Sequence, residues 1–453
     1  MSDVAIHDTH SGSPVGLGRA PGEPVGIYAC GPTVYGRIHV GNARPFVVFS
    51  LLKRYLAYRG YPVTLVVNVT DINDKIYAAA VERGIPSGEL AAEMSAAYRA
   101  DTDGLGLGRP DREPLATESI GAIVELIGTL LDTGRAYTAD GDVYFSVRGF
   151  ESYGSLSNRP TADMDQGEEA GEQAGKRDPL DFALWKARKP GEDTCWPAPW
   201  GEGRPGWHIE CSAMAQEQLG MGFDIHGGGS DLVFPHHENE IAQSEAAHPG
   251  ERFARIWMHN GMLQLDAEKM SKSEGNIFQL SEALERFGAE ALIAYFVSGH
   301  YRKPIEFSAQ RVAQAHAGLD RIRNYLRTVE PVAGEADPEV AARRAAFDAA
   351  LADDFNTPQA LTELHALVGE GFRRPVAGAH ALLAELLPVL GLHTLLERGR
   401  EPDDQARRLL AERQAAREQR DFATSDRLRD ELAARGWDVR DGAGGAELVP
   451  RGS

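Results

Sequence analysis

Two cysteines, a histidine and a glutamate are residues of this chain that could hold a metal ion together. Cys30 and Cys211 lie far apart in the sequence, whereas His236 and Glu240 are four positions apart. On a helix that spacing puts two side chains on one face, about 5–6 Å apart at their Cβ atoms. Two thiolates, an imidazole and a carboxylate are a suitable ligand set for Zn²⁺. By spacing alone, buried structural cysteines and a solvated helix face explain these residues equally well, because no CxxC pair anchors a site.

A second group of residues is suited to binding phosphate. Residues 30–42 follow a short apolar run and precede an amphipathic segment, so that His39 and Asn42 stand at the entry to a helix. A helix N-terminus offers unpaired N–H groups and the positive end of its dipole, which suit an anion. Far downstream, Lys269 and Lys272 add two cations beside two serine hydroxyls. No GxxxxGK[ST] loop of the Walker A type occurs.

The elements that must position these groups indicate an α/β fold. The apolar run 25–28 and the β-branched run 63–69 predict two strands with a helix between them. A strand–helix–strand unit with a right-handed crossover begins a doubly wound parallel sheet. Ligands bind such sheets at the carboxyl ends of the strands, which places Cys30, His39 and Thr70 around one crevice. We therefore predict a doubly wound, Rossmann-type α/β domain.

Changes in composition and periodicity divide the chain into four parts. A lead-in over 1–24, rich in Gly, Pro, Ser and His, is expected to be loosely ordered before a Rossmann-type domain over 25–308. Inside that domain, a mostly helical stretch over about 83–180, with a polar loop near its end, indicates an insertion between two halves of the sheet. Leu- and Ala-rich periodicity predicts a helical bundle over 309–400, and a charged helical hairpin with a strand pair predicts a small C-terminal domain over 401–453.

The composition is that of a globular protein with no secretory features. The 453 residues carry a formal charge of −20, which argues against broad nucleic-acid binding but leaves room for a local basic face. Three scattered cysteines cannot form a disulfide framework, and no apolar run reaches about 18 residues. No basic-then-apolar leader begins the chain. We expect a cytoplasmic protein with no membrane segment.

Residues 39–42 and 269–273, in this order, resemble the paired signatures of the class I aminoacyl-tRNA synthetases. The first signature, usually HIGH, reads HVGN here, so that Asn42 replaces the last histidine, and the second, KMSKS, occurs unchanged at 269–273. The chain further resembles the cysteinyl-tRNA synthetases, from about residue 25 to 441, most clearly in the blocks 28–35, 206–214, 224–240 and 269–273. The resemblance implies a Rossmann-type catalytic domain with an insertion, then a helical bundle and a small anticodon-binding domain.

The resemblance also assigns roles to single residues. It implies one Zn²⁺ per chain on Cys30, Cys211, His236 and Glu240, which binds the substrate cysteine as a thiolate. Such a bond discriminates against the hydroxyl of serine, whereas shape alone rejects near-isosteres by only ~10–200-fold. The implied contacts to cysteine, ATP or the adenylate come from Gly31, Thr33, His39, Gly41, Thr70, Trp207, His226, Asp231, His259 and Lys272.

Four of these contacts have a specific role under the same resemblance. Trp207 would wall the amino-acid pocket, His226 would orient a ligand, and Asp231 would bind the substrate ammonium. On sequence alone, an ordinary core tryptophan and an ordinary loop histidine remain alternatives. His259 would contact the adenylate.

The implied reaction has two steps. ATP with Mg²⁺ activates L-cysteine to cysteinyl-adenylate, and the aminoacyl group then passes to the 3′ end of tRNA(Cys). The catalytic residues would position the phosphates and stabilise their charge, and they are His39, Asn42, Lys269 and Lys272. The anticodon would be bound by Arg417, Phe422, Asp426 and Asp441. The family typically has Trp in place of Phe422, and either ring can stack on a base, which is worth ~1–3 kcal/mol. We expect a monomer.

Two other functions fit parts of the pattern. The cysteine ligase of mycothiol synthesis resembles the catalytic half and joins cysteine to an amino-sugar, but it lacks a C-terminal region of the anticodon-binding type. A non-catalytic paralogue that binds cysteine or RNA would have no need of His39, Lys269 and Lys272. This chain has both the C-terminal region and the three phosphate-binding residues, which favours the synthetase.

Overall fold

A computed structural model of the chain describes residues 3–160, 164, 166, 175–265, 278–397, 403–419, 421–442 and 445–450. Lys269 and Lys272, which we predict to act on phosphate, lie outside the described residues. Among the helices that are described, none combines the length and the apolar character needed to cross a membrane.

A short antiparallel hairpin begins the described chain, with strand β1 at Ala5–Asp8 and β2 at Ser13–Gly16. The expectation that residues 1–24 are loosely ordered is therefore wrong for this hairpin. Its turn forms because Gly12 adopts a φ of 66°, and its alternate apolar residues face the core. The fully buried side chains here are Val4, Ile6 and Leu17. The many Gly, Pro and Ser residues of this segment mask the alternation in the sequence.

The Rossmann-type unit starts as predicted with a strand, a helix and a strand: β3 at Val25–Ala29, α1 at Val40–Tyr58 and β4 at Val63–Val67. Two helices follow, α2 at Asp74–Arg83 and α3 at Ser87–Asp103. Asn73 caps α2 by accepting a hydrogen bond from the N–H of Lys75 (3.1 Å).

In its described residues, the insertion has one α-helix and an antiparallel sheet whose strands run in sequence order. Its elements are α4 at Ile120–Asp132, β5 at Ala136–Ala139, β6 at Asp142–Phe145, β7 at Phe182–Ala187 and β8 at Gly203–Pro205. The sequence predicts that the insertion ends near residue 180, but β7 pairs with β6 and β8, so the insertion continues to Pro205. The error arises because a fully buried apolar run fits a parallel core strand equally well.

The second half of the Rossmann-type unit then adds two helices and three strands. They are α5 at Trp207–Leu219, β9 at Phe223–Gly229, α6 at Glu238–Ala247, β10 at Ala254–Asn260 and β11 at Leu263–Leu265. The central sheet has the order β10-β9-β3-β4, and all its neighbours are parallel. The doubly wound α/β fold predicted from the sequence is confirmed.

Helices α5 and α6 also complete the core of the insertion. Ile209 of α5 and Ala242 of α6 belong to the same buried cluster as Phe145 and Trp185 of the inserted sheet. The buried carboxylate of Glu238 accepts hydrogen bonds from the N–H groups of two residues that follow β6, Gly154 (2.8 Å) and Ser157 (2.8 Å). The segment that follows β6 in the insertion is therefore fixed to the start of α6.

Helices dominate the remainder of the described chain. The elements are α7 at Leu280–Phe287, α8 at Ala289–Ser298, β12 at Ile305–Phe307, α9 at Ala309–Thr328, α10 at Pro338–Ala352, α11 at Thr357–Arg373 and α12 at Ala379–Leu386. Strand β12 pairs in parallel with β11. The C-terminal elements are α13 at Asp404–Glu418, α14 at Phe422–Ala434, β13 at Trp437–Gly442 and β14 at Gly445–Pro450. They share a small core around Leu428, Leu432 and Trp437.

Candidate metal centre and active site

The strand order creates a crevice at one edge of the central sheet. The chain winds outward from β3 to β4 and later outward from β9 to β10, so the winding direction reverses between β3 and β9. Ligands of doubly wound folds bind at such a reversal, at the carboxyl ends of the strands. Cys30 directly follows β3, and its N–H donates to the carbonyl of Gly227 in β9 (3.0 Å).

The structure brings together the four residues predicted to bind a metal. The Sγ atoms of Cys30 and Cys211, a ring nitrogen of His236 and a carboxylate oxygen of Glu240 all lie within 4.8 Å of one another, and all four residues are buried. The Nε2 atom of His236 is 3.0 Å from Oε1 of Glu240, and Sγ of Cys30 is 3.5 Å from the same oxygen. The arrangement can hold one small, soft cation.

Two neighbouring residues orient His236. The ring of Trp207 stacks on the ring of His236, with centroids 4.3 Å apart and an interplanar angle of 23°. The Nδ1 atom of His208 is 2.9 Å from Nδ1 of His236, which directs the opposite nitrogen toward Glu240. Trp207 therefore contacts a candidate ligand of the metal, while its role as a wall of the amino-acid pocket stays a prediction.

The electrostatics of the cluster favour a cation. Burial alone would raise the pKa of Glu240, but the imidazoles of His226 and His236 outweigh it and hold that pKa well below its usual value. A hydrogen bond with Cys30 lowers the pKa of Cys211, whereas burial and the proximity of Cys211 raise the pKa of Cys30. A buried carboxyl and a thiol, both with lowered pKa values, therefore share one space, which suits a divalent metal ion.

A second group of possible ligands overlaps the first. One ligand atom each from Cys30, His226, His237 and Glu240 also lies within 4.8 Å of the others. His226 Nε2 is 2.7 Å from Glu240 Oε2, and the rings of His226 and Trp257 stack with centroids 4.5 Å apart. Both groups share Cys30 and Glu240.

Sequence reasoning missed His237 and His208. His237 Nε2 is 3.3 Å from Cys30 Sγ, and its Nδ1 is 2.7 Å from Nε2 of His259. Burial lowers the pKa of His259 to about 3, so this imidazole is neutral, and its Nδ1 is 2.7 Å from Oγ1 of Thr9. The one signal in the sequence was that each missed histidine directly adjoins a predicted residue, Trp207 or His236.

The predicted phosphate-binding segment is the N-terminus of α1, where His39 and Asn42 cap each other. The N–H of His39 donates to Oδ1 of Asn42 (3.2 Å), and the N–H of Asn42 donates to Nδ1 of His39 (3.3 Å). A Cβ atom at Gly41 would lie 2.8 Å from the ring of His39, so that a side chain there would displace the ring from its capping position. The N–H of Val40 donates to the carbonyl of Phe278 (3.0 Å), which brings the described chain after residue 277 to this helix.

The loop after β3 is held by the loop after β4. The N–H of Gly31 donates to Oδ1 of Asn68 (2.9 Å), and any Cβ at Gly31 would lie only 1.7 Å from the carbonyl oxygen of Asn68. Thr33 and Thr70 form a parallel backbone bridge at the edge of the sheet. The structure therefore brings Gly31, Thr33 and Thr70 into the predicted crevice.

The remaining predicted residues lie farther out. Asp231 is exposed just after β9. On the C-terminal hairpin, Arg417 and Asp426 are exposed, and the ring of Phe422 is 64% exposed. Asp441 belongs to β13, but its side chain is outside the described part.

Comparison with known proteins gives three family matches. Residues 19–317 match the class I (C) tRNA synthetase catalytic domain, residues 346–394 match the DALR domain, and residues 400–447 match the cysteinyl-tRNA ligase anticodon binding domain. A cysteine–tRNA ligase of Geobacter sulfurreducens is 46% identical and aligned over 98% of each chain. One of Chromohalobacter salexigens is 47% identical over 97% of each chain.

Solved structures agree on the fold. Mycobacterium tuberculosis methionyl-tRNA synthetase bound by methionyl-adenylate superposes with a TM-score of 0.60 at 15% identity, over 81% of this chain and 89% of that one. A leucyl-tRNA synthetase of Agrobacterium radiobacter, in a ternary complex, gives a TM-score of 0.59 at 12% identity, over 84% and 86%. From the family matches and the near-complete alignments, the chain belongs to the cysteine–tRNA ligase family of class I aminoacyl-tRNA synthetases.

Proposed function

We propose that this chain activates L-cysteine with ATP and transfers it to the 3′ end of tRNA(Cys). The observation that carries the proposal is the buried convergence of Cys30, Cys211, His236 and Glu240 at the point where the sheet reverses its winding. Two thiols, an imidazole and a carboxylate fit one Zn²⁺. Bound there, the ion would hold the substrate sulfur as a thiolate, a bond that the hydroxyl of serine cannot match.

The first step requires the chain to position ATP and the amino acid. The cysteine carboxylate attacks the α-phosphorus of ATP, cysteinyl-adenylate forms, and pyrophosphate leaves. The N-terminus of α1, with His39 fixed by Asn42, would stabilise negative charge on the phosphates. We propose that Lys269 and Lys272 contact the pyrophosphate and that Mg²⁺ accompanies ATP.

The second step is transfer of cysteine from the adenylate to tRNA, and it requires the protein to bind the RNA both at its 3′ end and at its anticodon. We propose that residues 25–308 catalyse the chemistry, that 309–400 support the RNA, and that 401–453 bind the anticodon. Phe422 supports this division, because an exposed ring at the start of α14 can stack on an unpaired base. Arg417, Asp426 and Asp441 would bind base edges or the backbone beside it. We further propose a monomeric, cytoplasmic enzyme.

The amino-sugar ligase remains the alternative with the same first step. The match of residues 400–447 to an anticodon-binding domain weighs against it, since an amino-sugar offers no anticodon. The C-terminal hairpin and its exposed Phe422 have no evident use in that reaction.

The test is cysteine-dependent exchange of pyrophosphate into ATP, with bound zinc measured on the same samples. We expect exchange with cysteine but not with serine, and loss of both exchange and zinc in Cys211→Ser. Cys195→Ser is the matched control, because Cys195 is a free cysteine outside the cluster. Addition of tRNA(Cys) or of an amino-sugar then identifies the acceptor. A folded, zinc-loaded protein without exchange would leave only the non-catalytic paralogue.

A further inference from the structure

An exposed aromatic ring stands beside the crevice with a lysine over it. Tyr35, in the loop between β3 and α1, is 49% exposed and is one of five large hydrophobic side chains that are exposed in the described part of the chain. The Nζ atom of Lys75, at the start of α2, lies 5.5 Å from the centroid of that ring. Burial of the ring in the core therefore does not explain an aromatic residue at this position.

Neither side chain is engaged elsewhere in the described structure. The acidic neighbour of Lys75, Asp74, is paired with Lys186 (2.9 Å) and with Arg204. Within the residues that the structure describes, Lys75 has no ion pair and the hydroxyl of Tyr35 has no hydrogen bond. The ring and the ammonium group are thus available to a ligand.

The position of the pair relates it to the active site. Tyr35 lies two residues after Thr33 and four before His39, and Lys75 lies five residues after Thr70. The backbone bridge between Thr33 and Thr70 joins the two loops at the carboxyl edge of the sheet. Tyr35 and Lys75 therefore lie close to the two loops that this bridge joins, at the edge of the sheet where Cys30 of the candidate metal centre follows β3, and both side chains are exposed.

We propose that Tyr35 and Lys75 form a stacking platform for the 3′-terminal base of the RNA substrate. The inference rests on the proposed function. We place the terminal ribose in the crevice and its base and the preceding phosphate beside Tyr35 and Lys75. An exposed ring can stack on the base, and a free ammonium group can bind the phosphate. The adenine of ATP has the same chemistry, so the experiment must separate the two nucleotides.

The experiment compares Tyr35→Ala, Tyr35→Phe and Lys75→Ala in two assays. The first is cysteine-dependent ATP–pyrophosphate exchange without RNA, and the second is single-turnover transfer of cysteine to tRNA from preformed adenylate. For Tyr35→Ala we expect exchange and the KM for ATP to stay unchanged, and transfer at subsaturating tRNA to fall about 5- to 160-fold, the equivalent of ~1–3 kcal/mol. Tyr35→Phe keeps the ring and should transfer normally. Val81→Ala is the control, because Val81 is an exposed apolar residue on the same helix as Lys75.

A second measurement identifies the nucleotide. Binding of tRNA that lacks its 3′-terminal nucleotide is compared in wild type and Tyr35→Ala by competition. We expect the truncation and the substitution each to weaken binding and their effects not to add. Additive effects, unchanged transfer in Tyr35→Ala, or a raised KM for ATP in exchange would overturn the proposal. Absence of exchange in the wild type would instead refute the proposed function.

Discussion

Removal of the His208 side chain should weaken metal binding without touching a candidate ligand. His208 is fully buried on α5, and its Nδ1 atom is 2.9 Å from Nδ1 of His236. Metal-bound histidines usually depend on a hydrogen bond to the opposite ring nitrogen, which fixes the tautomer and the direction of the ring. His208→Ala removes that partner.

The magnitude follows from this single contact. Loss of such an orienting partner typically costs 10–100-fold in metal affinity, or about 1.4–2.7 kcal/mol. The substitution also leaves Nδ1 of His236 buried without its partner His208, which should lower the free energy of unfolding of the metal-free protein by about 1–3 kcal/mol. His208→Asn should restore most of the metal affinity, because its side-chain oxygen can occupy the position of the lost Nδ1.

The assay is competition for Zn²⁺ against a chromophoric chelator, with urea denaturation of the metal-free protein in parallel. His248→Ala is the control, because the one hydrogen bond of the His248 ring within the described residues is at the end of α6, with the carbonyl of Ser244 (3.1 Å). Unchanged zinc affinity in a folded His208→Ala protein would refute the view that His208 orients His236. An equal loss in His208→Asn would show that the effect is one of packing alone.

Three other perturbations have defined outcomes. Asn42→Ala should lower the free energy of unfolding by about 1 kcal/mol, while Asn42→Asp keeps the capping oxygen and should not; urea denaturation distinguishes them. Gly31→Ala should cost about 1–3 kcal/mol and reduce the zinc content, because its Cβ would lie 1.7 Å from a backbone oxygen. Burial alone would raise the pKa of Glu290, but hydrogen bonds from His316 and Thr394 lower it. The ionised Glu290 therefore stabilises the folded protein fully above about pH 4.5, the ordinary pKa of the group, and this stabilisation is lost as the pH falls through the lower pKa of the folded state. Glu290→Gln should flatten the fall of the urea midpoint in that acid range; an unchanged slope would contradict this assignment.

The place of Cys30 could be predicted from the sequence, because Cys30 directly follows β3 and a doubly wound sheet gathers such positions at one edge. Spacing alone did not assign Cys211, His236 and Glu240 to the same centre; the resemblance to the cysteinyl-tRNA synthetases did, and the structure brings the four together. His208 could not be predicted in the same way, because its contact depends on the rotation of α5 about its axis. That rotation is fixed by packing against the inserted sheet, which no local pattern encodes.

The prediction of the C-terminal boundary of the insertion was wrong for a related reason. Phe182, Leu184 and Trp185 are all buried, so β7 carries no alternation to distinguish an antiparallel strand from a core parallel one. The sequence likewise did not show what Asn42 does in place of the usual histidine. In the structure, the Asn42 side chain completes a helix cap with His39. A partner distant in the sequence decided the first case, and a local contact between side chain and backbone decided the second.

Residues at the start of α6 contact both the candidate centre and the insertion. Binding of a metal ion at the centre is therefore coupled to opening of the insertion. His236 and Glu240 point into the candidate centre, while Glu238 between them binds the N–H groups of Gly154 and Ser157 in the insertion. A metal ion that binds only while these contacts are formed stabilises that state by RT ln(1 + [L]/Kd), where [L] is the concentration of free ion. The stabilisation is about 4 kcal/mol when [L] is a thousand times Kd. Occupation of the centre would therefore suppress opening of the inserted sheet, and amide hydrogens far from the metal would exchange more slowly. The insertion and the centre would thus open and close as one cooperative unit.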